Sequence, residues 1–331
     1  MSRLKAVLMK EFGGPEVLYI GEAPAPVAGP GEVSVRVKAT ALNRADLLQR
    51  RGMYPPPKGA SEILGLEMAG EVIEVGPNVH GLKPGDRICA LLPGGGYAEQ
   101  VVIPAGMAML LPDHLTYEQG AAIPEVFLTA FLNLFELGGL SEGKTVLVHA
   151  GASGVGTAAI QLIREVGGTS LVTAGSQGKI DTCLNLGAKA GWNYKEGPFQ
   201  DWVLEQTQGQ GVDIILDFIG APYFDQNLAA LAMDGRLIIV GTMGGIEVPN
   251  LNLGTLLRRR LQVIGTALRS RSGQRKIELT RHFTEFAMPR FADDRLKPVV
   301  DSVFSWSEVA KAHEYMEQNK NTGKIVLRID K

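Results

Sequence analysis

The residues with the clearest chemical signature are His149-Ala150-Gly151-Ala152-Ser153-Gly154-Val155-Gly156, set between an apolar run and a helical segment. A Gly-x-Gly-x-x-Gly turn in that setting holds a dinucleotide pyrophosphate. Its first glycine permits the tight turn, its second lets the backbone approach, and its third packs helix against strand. The helix N-terminus adds free N–H groups and the positive end of its dipole. Gly151 and Gly156 take the first and third positions and Ser153 the second, where its hydroxyl is a further donor to phosphate. Gly154 and Val155 belong to the same phosphate-facing turn. The competing reading is a glycine turn that serves structure alone. The buried strand before it and the βα units after it favour the nucleotide.

NAD-binding chains usually carry Asp or Glu about 20 residues further on, where it accepts hydrogen bonds from the ribose. Here the second strand ends Thr173-Ala174-Gly175-Ser176-Gln177-Gly178-Lys179, with no acid at its tip. A carboxylate there would repel a 2′-phosphate. Gly175 leaves room for one, Ser176 donates to it and Lys179 supplies charge. Tyr194, just after the third strand, adds a hydroxyl. A solvated helix lysine is the alternative for Lys179, but it leaves the missing acid unexplained. The sequence therefore predicts NADPH as the cofactor.

These groups need a parallel sheet to position them. After Pro124 a helical stretch (Val126 to Glu136) leads into the short apolar run Lys144 to His149, of the kind buried on both faces of a parallel sheet. Strand-like runs recur at 170–173, 212–217 and 236–240, with helical segments at about 178–186, 200–207 and 223–232. That alternation predicts a doubly wound α/β sheet of the Rossmann type. The first third differs, with short alternating strands such as Val33 to Ala39 and Glu71 to Val75 broken by Gly and Pro, as in a β-barrel or sandwich-like unit. A helix from about Ser307 to Asn319 and a final strand, Lys324 to Ile329, are too few for a core of their own and are expected to complete the first domain.

The 331 residues suggest two domains. Net charge is −2, so nothing electrostatic calls for nucleic acid or an anionic membrane, and Arg258-Arg259-Arg260 reads as a solvated helix end. Cys89 and Cys183 cannot form a disulfide framework or a cysteine metal cluster, which fits a reducing cytoplasm. No apolar run is long enough to span a bilayer.

The whole chain resembles the medium-chain dehydrogenase/reductase superfamily. Pro30-Gly31-Glu32-Val33 to Asp46, Gly65-Leu66-Glu67 to Gly76, and Gly81 to Arg87 carry the likeness. The resemblance implies a GroES-like, β-rich catalytic domain (1–124, completed by 269–331) and a Rossmann NADPH-binding domain (125–268). The zinc alcohol dehydrogenases of this superfamily have Cys where this chain has Asn43, and His where it has Leu66. Neither replacement is an ordinary zinc ligand. The five histidines are scattered without ligand spacing, so no metal site is expected. The zinc-free quinone oxidoreductase branch matches best, through Asn43 to Leu47 and Gly52-Met53-Tyr54-Pro55-Pro56-Pro57. Its tumour-suppressor-inducible subgroup matches further, through Ala122-Ile123-Pro124-Glu125, Leu268 to Arg271, and Asn319 to Leu327.

That likeness implies an NADPH-dependent reductase of small quinones or activated carbonyl compounds. Thr129 and Asn43 would lie near the nicotinamide, Gly241, Met243 and Gly244 would touch the cofactor, and Leu268, Arg269 and Asn321 would close over it. Tyr54 is the candidate for the substrate mouth, held by its proline run, the alternative being a loop aromatic that covers the barrel. Asn43 is the second candidate catalytic residue, the alternative being a turn cap. Asp46 and Glu67 are read as structural. Two rivals stay open, a reductase of enoyl or other activated alkenes and a non-enzymatic NADPH-binding protein like zeta-crystallin. The family implies a homodimer.

Overall fold

The computed structural model describes residues 2–249 and 251–330, so Met1, Asn250 and Lys331 lie outside the description. The chain divides into two units, one from Met1–Leu128 with Arg269–Lys331 and one from Thr129–Leu268.

The first unit opens with an antiparallel pair, β1 (Arg3–Met9) and β2 (Leu18–Pro24). In β3 (Glu32–Ala41) the alternating Val33, Val35 and Val37 are all buried, as the period-2 pattern requires. After α1 (Arg44–Arg50) come β4 (Glu67–Val75), β5 (Arg87–Leu91), β6 (Gln100–Pro104), β7 (Met109–Leu110), α2 (Tyr117–Ala121) and α3 (Pro124–Phe131). The helix read from Val126 begins earlier, at Pro124, where the absent N–H is no loss. Its expected second half, Leu132–Leu137, is a π-helix. Asn133 Nδ2 donates to the Thr129 carbonyl at 2.8 Å, a side-chain bond that competes with the regular ladder.

The second unit runs β8 (Thr145–Val148), α4 (Gly154–Glu165), β9 (Thr169–Ala174), α5 (Gln177–Asn185), β10 (Ala190–Asn193), α6 (Gln200–Gln206), β11 (Val212–Asp217), α7 (Phe224–Ala230), β12 (Leu231–Ile239), α8 (Leu253–Arg259) and β13 (Gln262–Gly265). All neighbours are parallel, in the order β10-β9-β8-β11-β12-β13. This is the doubly wound order, and it reverses between β8 and β11, where such sheets take their ligand. The expected helix at 223–232 stops at Ala230. Leu231 already pairs with Val212, and Asp234 at φ 61° marks a loop-out before pairing resumes at Arg236. The triple arginine is less solvated than its charge suggested. Arg259 Nη1 donates to the Leu228 carbonyl at 2.7 Å and caps the end of α7, while Arg260 pairs with Asp234 on the surface.

The chain then returns to the first unit through α9 (Gly273–Ala292), β14 (Val300–Ser305), α10 (Val309–Glu317) and β15 (Lys324–Arg328). β15 lies between β14 and β3 in a sheet of order β14-β15-β3-β4-β5-β7, with β6 also on β3. The helix expected at 307–319 is a 3₁₀ turn, Trp306–Glu308, followed by the shorter α10. Sequence reading missed α9, although Leu279, Phe283, Ala287 and Phe291 form a buried stripe at helical spacing. Pro289 inside it reads as a breaker. No helix among the described residues is long and apolar enough to cross a membrane.

Candidate active site

In the second unit the turn after β8 has the form its glycines demanded. Ala150 sits at φ 49°, and the Gly151 N–H donates to the Thr173 carbonyl at 2.9 Å, tying the turn to β9. A Cβ on Gly156 would lie 2.4 Å from the Gly151 carbonyl oxygen, so helix and turn are as close as two backbones allow. Ser153 is the N-cap of α4, and its Oγ accepts from the Gly156 N–H at 3.1 Å. Its carbonyl takes the Thr157 N–H, leaving Gly154 and Val155 to offer first-turn N–H groups to an anion. The oxygen of Ser153 thus has a structural task, and only its hydroxyl proton is left for a phosphate.

The turn is braced by a buried chain that sequence reading missed. His149 Nδ1 meets Thr173 Oγ1 at 2.9 Å and Nε2 meets Asn227 Oδ1 at 2.7 Å. Asn227 Nδ2 in turn donates to Asp217 Oδ2 at 3.2 Å. Burial pushes the His149 imidazole down to about 4, so it is neutral and acts as a strut between β8, β9 and β11.

At the tip of β9 the structure sets Tyr194 against Gly175, with Ser176 and Lys179 following at the head of α5. A Cβ on Gly175 would lie 2.6 Å from the Tyr194 hydroxyl oxygen, so the phenol rests against the glycine. Ser176 is exposed at the head of α5 and its hydroxyl does not cap the helix; Lys179 follows in the first turn. The loops carrying Gly241, Met243 and Gly244 are fastened to the one after β11 through Met243 N–H to Phe218 O (3.1 Å) and Gly244 N–H to Ile219 O (2.8 Å), with Met243 exposed. Thr129 and Leu268 are both buried.

In the first unit a largely buried polar cluster stands around Asn43. Glu67 and Lys324 form an ion pair at 2.7 Å, 0% and 4% exposed at their side chains. Lys324 Nζ also donates to the Leu42 carbonyl (2.6 Å) and to Asn43 Oδ1 (2.8 Å). Asn43 Nδ2 donates to Glu67 Oε1 (2.8 Å) and to the Ala41 carbonyl (3.3 Å). Asn43 was expected as a catalytic residue near the nicotinamide. In the structure its amide binds Lys324, Glu67 and the Ala41 carbonyl at the head of α1, with the residue partly exposed. Asp46 accepts the N–H groups of Asn43 (2.8 Å) and Gly65 (3.1 Å), and burial raises its carboxyl to about 6.

Arg269 was expected to close over the cofactor. Its guanidinium donates to Gln49 Oε1 (2.7 Å) and to the Pro93 carbonyl (2.9 Å), and its centre lies 5.2 Å from the Tyr54 ring centroid. It is the backing of the Tyr54 loop. Tyr54 is partly buried, and burial followed by Glu125 raises its phenol, with Arg269 opposing. Asn321, likewise expected over the cofactor, donates from Nδ2 to the Gly323 carbonyl at 2.8 Å in the turn before β15. A cavity of about 400 Å³ in this unit, lined by residues such as Ile63, Leu92 and Val101, includes none of Asn43, Tyr54 and Glu125 and is no part of this cluster.

Comparison with known proteins agrees with both halves. Residues 29–113 match the alcohol dehydrogenase GroES-like domain, and residues 186–327 match the family described as zinc-binding dehydrogenase. The human quinone oxidoreductase is 31% identical over 98% of this chain and 97% of its own length. The chain belongs to the quinone oxidoreductase family of medium-chain dehydrogenases/reductases. The rat synaptic vesicle membrane protein VAT-1 homolog is also 31% identical, over 98% of the chain and 84% of that relative. Among solved structures, a mycobacterial protein complexed with NADPH superimposes with a TM-score of 0.87 at 29% identity, over 98% of this chain and all of that one. CurK enoyl reductase gives 0.88 at 26% identity, over 99% of each chain.

This member of the quinone oxidoreductase family is thus an oxidoreductase with a GroES-like and a Rossmann unit, in a family of pyridine-nucleotide dehydrogenases. The phosphate turn fits such a nucleotide, since Gly151 and Gly156 let the turn pack tightly against β9 and α4 while Gly154 and Val155 offer first-turn N–H groups. Zinc does not fit at Asn43 and Leu66, because the amide is saturated and the leucine, 1% exposed, has no donor atom. Among the described residues no group of three His, Cys, Asp or Glu side chains is placed to hold a metal.

Proposed function

We propose that this protein reduces small quinones with NADPH and without zinc. The observation that carries this reading is the closed donor set at Asn43 and Leu66. With no Lewis acid to polarise a carbonyl there, the acceptor must be intrinsically ready for hydride, and a quinone is. The nicotinamide supplies the hydride when bound. The second unit's part is to orient it through the α4 turn.

The choice of NADPH rests on Tyr194 against Gly175 and on Ser176 and Lys179 at the head of α5, with no carboxylate among them. Charge-assisted hydrogen bonds to a 2′-phosphate are worth roughly 1.5–3 kcal/mol each. NADPH is therefore expected to give a kcat/KM about 10–100-fold above NADH, measured by absorbance at the nicotinamide band with a panel of quinones and enones. In Lys179→Ala that ratio should shrink while the NADH rate stays unchanged. A wild-type preference for NADH would defeat the cofactor assignment.

The likeness to CurK enoyl reductase favours one second reading, an activated-alkene reductase. Efficient enone turnover with negligible quinone turnover would establish it. The reading extends to a cytoplasmic homodimer, supported by the largely exposed edge strand β13, whose unpaired backbone suits the same strand of a second copy.

A further inference from the structure

Where a doubly wound sheet reverses its order, the loops after the two central strands diverge and leave the crevice in which a ligand lies. The β8–β11 ladder ends at Val148 and Leu216. Among the described residues the last backbone bond between these strands runs from the His149 N–H to the Leu216 carbonyl (3.1 Å). Beyond it the span is carried by side chains. Thr173, His149, Asn227 and Asp217, each 0% exposed, form one hydrogen-bonded row from β9 to β11. The row has a direction. Asp217 accepts the Ile219 N–H (2.8 Å) and the Gly220 N–H (3.2 Å), and burial raises it only to about 6, so at neutral pH it is ionised and can only accept. Asn227 therefore turns Nδ2 toward Asp217 and Oδ1 toward His149. The hydrogen of the neutral ring then sits on Nε2, and Nδ1 accepts from the Thr173 hydroxyl. Both ends of the row grip loops at the C-terminal edge of the sheet. The Thr173 carbonyl holds the Gly151 N–H of the phosphate turn (2.9 Å), and the Asp217 carbonyl holds the N–H groups of Val240 (2.7 Å) and Gly241 (3.2 Å).

Such a row is costly. No cation is set against Asp217, and a buried carboxylate held by N–H groups alone is dearer than an apolar side chain in its place. What a fully satisfied buried network supplies in return is a single geometry. We propose that Asn227 is a positioning residue for the dinucleotide, the joint that holds the β8 and β9 loops in register with those of β11 and β12 across the crevice. This rests on the nucleotide reading of the phosphate turn and extends that site across the sheet. With the joint intact, the two halves of a dinucleotide meet rims already at their working distance, and binding spends nothing on aligning them.

The test is Asn227→Ala in the full chain, titrated calorimetrically with NADPH and with 2′,5′-ADP, the adenosine half alone. Losing the amide leaves Thr173 on His149 and the Ile219 and Gly220 N–H groups on Asp217, and cuts only the joint between them. Kd for NADPH should rise about 10-fold, while that for 2′,5′-ADP changes by less than about 2-fold. The exchanged pair Asp217→Asn/Asn227→Asp should fold and bind NADPH as wild type does. A carboxylate at 227 still accepts from His149 Nε2, and an amide at 217 still accepts from the two N–H groups while donating across the row. Asn227→Asp alone, which turns one carboxylate on another, should bind as weakly as Asn227→Ala. Nitrogen NMR supplies a readout that needs no ligand: His149 should be the Nε2–H tautomer in wild type and lose that preference in Asn227→Ala. Equal weakening of both ligands, an unchanged NADPH affinity, or an exchanged pair no better than Asn227→Asp overturns the proposal. A wild type that binds NADH as tightly as NADPH overturns the cofactor assignment instead, and NADH against 5′-AMP then tests the joint in the same way.

Discussion

Lys324→Met is expected to lower the stability of the protein by about 3–5 kcal/mol, the effect of leaving a buried charge without its partner. Methionine preserves most of the lysine's volume, so packing is nearly held constant. What is lost is the counter-charge to Glu67 and two further donors, to the Leu42 carbonyl and to Asn43 Oδ1. Because Asn43 Nδ2 and the Glu125 N–H also converge on Glu67, the head of α1 and the start of α3 should loosen together. Urea unfolding of the single variant and of Lys324→Met/Glu67→Gln measures this. The double variant should recover much of the loss, since glutamine brings no charge into the site. A single variant as stable as wild type would mean the pair contributes nothing. The exposed pair Arg260–Asp234 is the contrast, and its removal should leave the midpoint unchanged.

The second large effect is expected at the phosphate turn. Gly156→Ala places a methyl group 2.4 Å from the Gly151 carbonyl oxygen and 2.5 Å from that of Ala150, and neither is a flexible side-chain end that can swing away. Backbone must move, and it is the backbone whose N–H groups are to meet the pyrophosphate. We expect Kd for NADPH to rise at least about 100-fold by titration calorimetry, because misplaced donors forfeit several charge-assisted bonds at once. Gly178→Ala, in α5, is the control. A Cβ there meets nothing within 4 Å, so the helix should gain about 0.5–1 kcal/mol with no change in affinity. Equal affinities in Gly156→Ala and wild type would remove the turn from the binding site.

How much of this could be read from the chain depended on how local each feature is. The glycine turn, the absence of an acid after β9 and the alternation of β and α units are written within short windows. The parallel sheet order follows them as a matter of topology. Lys324 is different. It looks like one more lysine at the start of a strand, and only the placement of β15 against β3 reveals it as the partner of Glu67. The partners of Arg269 and Asn43 were hidden for the same reason. Their residue types suit a cofactor or a substrate, and only the fold shows that Pro93, Gln49 and Lys324 lie against their polar atoms. The stripe of α9 was available in the sequence and was obscured by Pro289.

The place of β15 has a consequence for how the protein is made. Residues 129–268 form one continuous stretch, so a ribosome delivers that unit whole before the first can be finished. Until the last strand emerges, β3 lacks its β15 neighbour and Glu67 has no cation beside it. The emergence of β15, rather than the appearance of residue 128, is the event that lets the N-terminal unit close. A translation stall before β15 emerges would leave residues 39–41 of β3 without their β15 partners, ready to pair with another nascent chain.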